Sequence, residues 1–218
     1  MYKALIFDLD GTLADTLPAI LTALNATMRR FGYPEHDLDA LRTFINNGAR
    51  MLVTRAMPMS ERNDAQIDAV LADYDRAYAA CYGQTTETYP GITAAITALH
   101  SRGYRIAVLS NKQDHMVKGL CAQLLPGLID LAIGQRPGIP TKPDPTVPLE
   151  MAAALGAAPA EIAFIGDSDV DIRTAQNAGF LPVGVAWGYR SPALLREVGA
   201  AHIVETADAL TALFPNQN

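Results

Sequence analysis

Phe7-Asp8-Leu9-Asp10-Gly11-Thr12-Leu13 decides how the rest of this sequence is read. With Ala4, Leu5 and Ile6 before it, Phe7 completes a short apolar run of the kind that forms a buried strand, so residues 3–8 are expected to be the first strand and Gly11 to turn the chain. Aspartate is depleted in strands and costly to bury without a partner. Asp8 and Asp10, two residues apart at a strand end, must therefore face something that wants negative charge. A divalent cation, or a phosphoryl group on its way to a carboxylate, meets that requirement.

The 218 residues, half of them apolar and 18% charged, can bury the core of one large domain or two modest ones. Lys and Arg number 17 against 23 Asp and Glu, a net charge of −6. That balance disfavours nucleic acid, whose phosphate backbone needs a basic face, but permits a small anion at a local positive site. Cys81 and Cys121 are too few for a disulfide framework or a zinc site and are expected to act as small hydrophobes. No run of about 18 apolar residues suggests a membrane span. Asp8 comes too early for a secretory leader, so the cytoplasm is the expected compartment.

From Thr16 to Phe31 the pattern turns helical, with Leu17, Ile20, Leu21, Leu24 and Met28 at spacings of three and four before Gly32 and Pro34. Residues 37–57 continue helical, with Leu38, Leu41, Phe44 and Ile45 on one face and a break at Asn46-Asn47-Gly48. A further helix is expected over 60–83, where Ile67, Val70, Leu71, Tyr74, Tyr78 and Cys81 keep the 3.6-residue period. The stripe of Tyr74, Tyr78 and Tyr82 reads as core. After Tyr89-Pro90-Gly91, helices at 92–102, 113–124, 145–155, 170–178 and 192–198 alternate with strands at Arg105–Leu109, Ile129–Ile133, Ile162–Ile165 and Pro182–Val185. This alternation implies an α/β fold, a Rossmann-like parallel sheet flanked by helices. Residues 1–14 and 89–218 are expected to form that core and residues 15–88 a helical domain inserted after the first strand, with a hinge at Gly83–Gly91.

Ligands of open α/β sheets bind at the carboxyl ends of the strands, and the unusual polar residues fall there. Asp8 and Asp10 follow the first strand, Ser110-Asn111 the strand at 105–109, and Lys142 the strand at 129–133. Gly166-Asp167-Ser168-Asp169-Val170-Asp171 follows the strand at 162–165. Each type has a task in phosphoryl transfer. One carboxylate can accept the phosphoryl group as nucleophile; a second can protonate the leaving oxygen and then activate water. Mg²⁺ takes oxygen ligands with few protein carboxylates, and a lysine and a hydroxyl can hold the charged equatorial oxygens. The Asp167, Asp169, Asp171 spacing imitates a calcium loop, but Ile172 and Ala178 stand where that loop needs Gly and Glu. Asp169 is read instead as an N-cap or first-turn acid of the next helix.

With these residues in order, the chain resembles the haloacid dehalogenase-like superfamily over essentially its whole length. The four motifs of that superfamily are matched by Asp8-Leu9-Asp10-Gly11-Thr12, Ser110-Asn111, Lys142, and Gly166-Asp167-Ser168 with Asp171. The resemblance implies an inserted helical cap of the C1 type, Mg²⁺ as cofactor, and a phosphatase working through an aspartyl-phosphate. It implies that Asp8 is the nucleophile and a metal ligand. Asp10 would be the general acid/base and lend its backbone carbonyl to the metal, and Asp167 would be a direct ligand. Ser110, Asn111 and Lys142 would bind the phosphate, with Asp171 behind them positioning the Lys142 amine or a metal-bound water. Within the superfamily the chain most resembles the phosphoglycolate phosphatases, through Phe44-Ile45-Asn46-Asn47-Gly48-Ala49-Arg50, Tyr89-Pro90-Gly91, Lys142-Pro143-Asp144-Pro145 and Trp187-Gly188-Tyr189-Arg190. That likeness makes 2-phosphoglycolate the first expected substrate, with Asn47, Gly48 and Arg50 as cap contacts and Arg50 gripping its carboxylate. Those phosphatases commonly carry Gly where this chain has Asn46 or Asn47.

Asp10 separates the chemistries that share this framework. Dehalogenases that resemble the chain place an aromatic residue there. Phosphonate-cleaving relatives place a small residue there and a Schiff-base lysine in the cap, whereas residues 15–88 contain no lysine. A sugar phosphomutase of the beta-phosphoglucomutase kind needs a cap acid/base, often His, and Thr16-Leu17-Pro18-Ala19-Ile20 offers none; hydrolysis is favoured. A non-catalytic phosphate-binding or regulatory protein on the same fold would be expected to have lost one of Asp8, Asp10, Ser110, Lys142 or Asp167. The expected partner is a small phosphorylated metabolite, with neither nucleic acid nor membrane involved, and the expected state is a monomer or homodimer.

Overall fold

A computed structural model describes residues 1–45 and 47–216, and of Thr85 the backbone alone. Asn46, part of the expected break and of the departure from the phosphatase pattern, lies outside the described residues. In chain order the elements are β1 (Ala4–Phe7), β2 (Ala14–Asp15), α1 (Leu17–Arg30), α2 (Leu38–Phe44), α3 (Gly48–Ala56), α4 (Asp64–Thr85), β3 (Glu87–Thr88), α5 (Ile92–Ser101) and β4 (Arg105–Gln113). There follow α6 (Asp114–Leu124), β5 (Leu131–Gln135), α7 (Thr146–Leu155), β6 (Ile162–Gly166), α8 (Asp169–Ala178), β7 (Leu181–Val185), α9 (Pro192–Glu197), β8 (His202–Val204) and α10 (Ala207–Leu213). Two compact units result, one of Met1–Ala14 with Thr88–Asn218, the other of Asp15–Glu87.

The first unit is built on a six-stranded sheet in the order β5-β4-β1-β6-β7-β8. Its strand pairs are parallel. β1 lies between β4 and β6, with Ala4 opposite both Arg105 and Ile162, and all four of its residues are buried. A strand covered on both faces has no polar side to show, which is why Ala4–Phe7 is uniformly apolar. Helices seal the faces with Ile96 and Leu99 of α5, Val117 and Leu120 of α6, Met151 of α7 and Ile172 and Ala175 of α8. The chain runs outward from β1 through β4 to β5, then returns to β6 on the other side of β1. Strand order reverses at that point, and the crevice it opens at the carboxyl ends is where such sheets bind ligands.

Two expectations about this unit need correction. β4 continues past Leu109 to Gln113 with an irregular register, so Ser110 to Lys112 still belong to the strand. The unit also ends in β8 and α10, which were not expected. His202-Ile203-Val204 is too short to show alternation, and α10 is a seven-residue helix whose N-cap Thr206 accepts from Ala209 N at 3.1 Å.

The second unit is helical. Leu17, Ile20, Leu24 and Met28 form the buried face of α1, and Arg30 joins Asp73 of α4 at 2.6 Å. Asp37 caps α2 by accepting from Ala40 N at 2.8 Å, and Asn63 caps α4 from Gln66 N at 3.0 Å. The expected face of α2 is only partly right: Leu41 is buried, but Leu38, in the first turn, is exposed. Gly83 lies inside α4, so the expected hinge cannot begin there. Tyr74, Tyr78 and Tyr82 stack with centroids 5.7 and 5.6 Å apart, the first two buried. Cys81 is half-buried in this unit; in the other, burial pushes the Cys121 thiol up to about 12. Among the described residues no helix is long and apolar enough to cross a membrane.

Candidate active site

Four chain segments converge where β1, β4 and β6 end. Asp8 leaves β1 into a turn in which Gly11 adopts φ +88°, and a Cβ on Gly11 would stand 2.5 Å from Asp167 Oδ2. Glycine is required there both by the left-handed backbone and by that approach. Thr12 Oγ1 donates to Asp167 Oδ1 at 3.3 Å. β6 delivers Asp167 and then Ser168, the N-cap of α8. Ser168 donates to Asp171 Oδ2 from its N at 3.0 Å and its Oγ at 2.6 Å.

Asp171 Oδ1 accepts from Lys142 Nζ at 2.7 Å, and the same ammonium donates to Asp8 Oδ1 at 2.7 Å. Lys142 also lies 5.5 Å above the centre of the Phe164 ring. Its backbone is pinned by Asn111, whose Nδ2 donates to Lys142 O at 3.1 Å and whose Oδ1 accepts from Lys142 N at 2.9 Å. The Asn111 amide, expected on the phosphate, thus has both ends on the Lys142 backbone. Ser110 is buried, its hydroxyl accepting from Lys112 N at 3.3 Å. Asp10 meets Lys112, whose Nζ is 2.5 Å from Asp10 Oδ1.

The loop after β7 closes over Asp167. Tyr189 N donates to Asp167 Oδ2 at 2.7 Å, and Trp187 Nε1 donates to Thr12 O at 3.0 Å. A Cβ on Gly188 would fall 2.1 Å from Asp167 Cβ and 2.6 Å from Gly11 O. Gly188→Ala must therefore displace this loop. The expected result is a loss of about 1–3 kcal/mol of stability, with turnover reduced as Asp167 shifts. Urea unfolding and a kcat measurement check it, and wild-type values for both would refute the close approach.

Carboxylate oxygens of Asp8, Asp167 and Asp171 lie within 4.8 Å of one another. Burial pushes the Asp8 carboxyl up to about 7, with Lys142 opposing and the charges of Asp171 and Asp10 assisting. Burial, then the charges of Asp171 and Asp8, raise Asp167 well above the ordinary carboxylate range. Burial works against the Lys142 ammonium, but Asp171 and Asp8 outweigh it and raise its pKa. Three buried carboxylates beside one ammonium resist carrying charge together, and their hard oxygen donors suit a hard divalent cation such as Mg²⁺, which would relieve that repulsion. Asp171 is occupied by Lys142 and Ser168; Asp8 and Asp167 retain lone pairs for a metal.

The remaining expected residues lie in the helical unit. Asn47 precedes α3, and its Oδ1 accepts from Arg55 Nη2 at 3.0 Å. Gly48 opens α3 at φ +79°. The Arg50 guanidinium bonds Asp64 at 2.9 Å and also Asp68. Sequence reasoning missed Lys112, although it stands two residues beyond Ser110 on one strand. It also left Tyr189 without a role, because a backbone N–H carries no side-chain signal.

Residues 5–185 match the family pattern of the haloacid dehalogenase-like hydrolases. A phosphoglycolate phosphatase of Pseudomonas putida strain KT2440 is 32% identical over 218 residues, spanning 98% of this chain and 79% of the relative. One from Psychrobacter arcticus is 32% identical over 217 residues, 95% of this chain and 94% of the relative. A crystal structure from Lactobacillus delbrueckii subsp. bulgaricus, provisionally described as a phosphoglycolate phosphatase, superposes with a TM-score of 0.93 at 32% identity over 99% of both chains. The chain belongs to the haloacid dehalogenase-like hydrolase family. Its enzyme class is that of a phosphoric monoester hydrolase.

Proposed function

We infer that this chain hydrolyses a small phosphomonoester, 2-phosphoglycolate first among them, through a phosphorylated Asp8. The observation that carries the reading is the 2.7 Å contact of Lys142 Nζ with Asp8 Oδ1 at the end of the central strand. Lys142 aims one Asp8 oxygen and supplies positive charge where the phosphoryl oxygens would lie. Asp8 attacks phosphorus, the bond from phosphorus to the ester oxygen breaks, and Asp10 gives that oxygen its proton. Asp10, now ionised, takes a proton from water as the water oxygen attacks the phosphoryl group. Phosphate departs and Asp8 is regenerated. Ser110 adds a hydroxyl to the phosphoryl oxygens. Mg²⁺, held by Asp8, Asp167 and the Asp10 carbonyl, would supply Lewis-acid charge to the same oxygens.

Substrate choice is proposed to rest on Asn47, Gly48 and Arg50, with Arg50 taking the carboxylate. Its present partners are exposed acids, Asp64 at 93% and Asp68 at 64%, and such exposed pairs are worth about 0–1 kcal/mol. A substrate carboxylate can therefore win the guanidinium from them. Arg50→Ala is expected to raise KM for 2-phosphoglycolate about tenfold relative to its effect on a carboxylate-free ester; equal KM changes would remove this role. The reaction itself is tested by phosphate release from a panel of esters with Mg²⁺ and with a chelator. Release with Mg²⁺ and its loss on chelation are expected. No release from any ester would end the reading.

A further inference from the structure

Asp10 has a lysine of its own. Lys112 follows Ser110 and Asn111 on the irregular stretch of β4, and its ammonium touches Asp10 Oδ1 at 2.5 Å. The Lys112 side chain is only 9% exposed. Lysines are almost never so enclosed unless paired, because a desolvated ammonium is costly without an opposite charge. The need for that charge is local. Asp8, Asp10, Asp167 and Asp171 gather at one sheet end, and the charge on Asp10 is felt at Asp8. Lys142 is engaged with Asp8 and Asp171. Without a cation of its own, Asp10 would be driven away from Asp8 toward water.

We propose that Lys112 is a positioning residue for Asp10, holding Oδ1 so that Oδ2 is the oxygen that delivers and takes the catalytic proton. The proposal rests on the acid/base reading of Asp10. It makes a distinction that a general structural role does not. A proton at the departing oxygen matters greatly for an alkoxide and little for a nitrophenolate, which leaves without help. kcat/KM covers every step through departure of the alcohol. Misplacing Asp10 should therefore be felt on alkyl esters far more than on aryl esters.

The experiment measures kcat/KM of the full chain with Mg²⁺ on 2-phosphoglycolate and on p-nitrophenyl phosphate. Lys112→Met is expected to reduce the first at least about tenfold more than the second. Lys112→Arg, which keeps the cation, should recover most of that ratio. An equal loss on both substrates, or none on either, overturns the proposal. If Lys112→Met fails to fold, Lys112→Gln carries the same comparison. If the wild type cleaves other alkyl phosphates but not 2-phosphoglycolate, the substrate assignment fails and the alkyl-to-aryl ratio still decides on Lys112. A wild type that cleaves no phosphomonoester overturns the phosphatase reading and this proposal together. An unchanged ratio in an active enzyme overturns Lys112 alone.

Discussion

Asp8→Asn is expected to fold and to lower kcat on 2-phosphoglycolate by at least about 10⁴-fold, the scale on which a lost nucleophile is felt. The amide cannot attack phosphorus, while its oxygen can still accept from Lys142, so the packing of the site survives. Stability should hold or rise slightly. Burial already works against the Asp8 charge, which is why its carboxyl stands at about 7, and a neutral side chain escapes that cost. Measuring kcat beside a thermal melt separates the two effects. Wild-type turnover in this variant would rule out Asp8 as the nucleophile. A collapsed melt would instead show that its charge is structural.

Lys142→Met should be the most damaging single change to stability at the site. It removes the cation shared by Asp8 and Asp171, both buried and both 2.7 Å from its ammonium. Taking one partner from a buried ionic cluster costs about 3–5 kcal/mol, since the abandoned charge stays desolvated. Turnover should vanish as well. Adding Asp171→Asn to Lys142→Met should return part of the stability but none of the activity, because it removes an orphaned charge without restoring a cation. Urea unfolding of the two variants decides. If the second change returns none of the stability, unpaired charge is not the source of the cost.

The sheet was legible in the sequence because its strands are buried on both faces and so read as unbroken apolar runs. β1 and β6 are the clearest, at Ala4–Phe7 and Ile162–Gly166. β8 escaped because three residues between small, polar neighbours carry no period, and α10 escaped with it. The run past Leu109 in β4 was hidden by its polarity, since Ser110, Asn111 and Lys112 look like the loop that usually follows a strand. The same disguise covered Lys112, for a lysine two residues past a strand's apolar part normally reads as solvated. Asn111 could be nominated for the site by its place in the order of motifs. That both ends of its amide grip the Lys142 backbone is a long-range fact of the fold. Gly188 shows the same limit, because its neighbour across space, Asp167, is distant along the chain.

The central placement of β1 has a consequence for how the chain is made. Its neighbours are β4 and β6, so β1 leaves the ribosome before either and is flanked on both sides only after Gly166 has been synthesised. Meanwhile Asp8 exists without Lys142, and Asp10 without Lys112, until each lysine is translated. Asp167 acquires its hydrogen bond from Tyr189 only after a further stretch of chain, including β7, has been made. A nascent chain therefore carries Asp8 through the 134 residues of synthesis that separate it from Lys142, the cation that faces it. The order of synthesis thus delays assembly of this polar cluster until the strands and loops that carry it have been made.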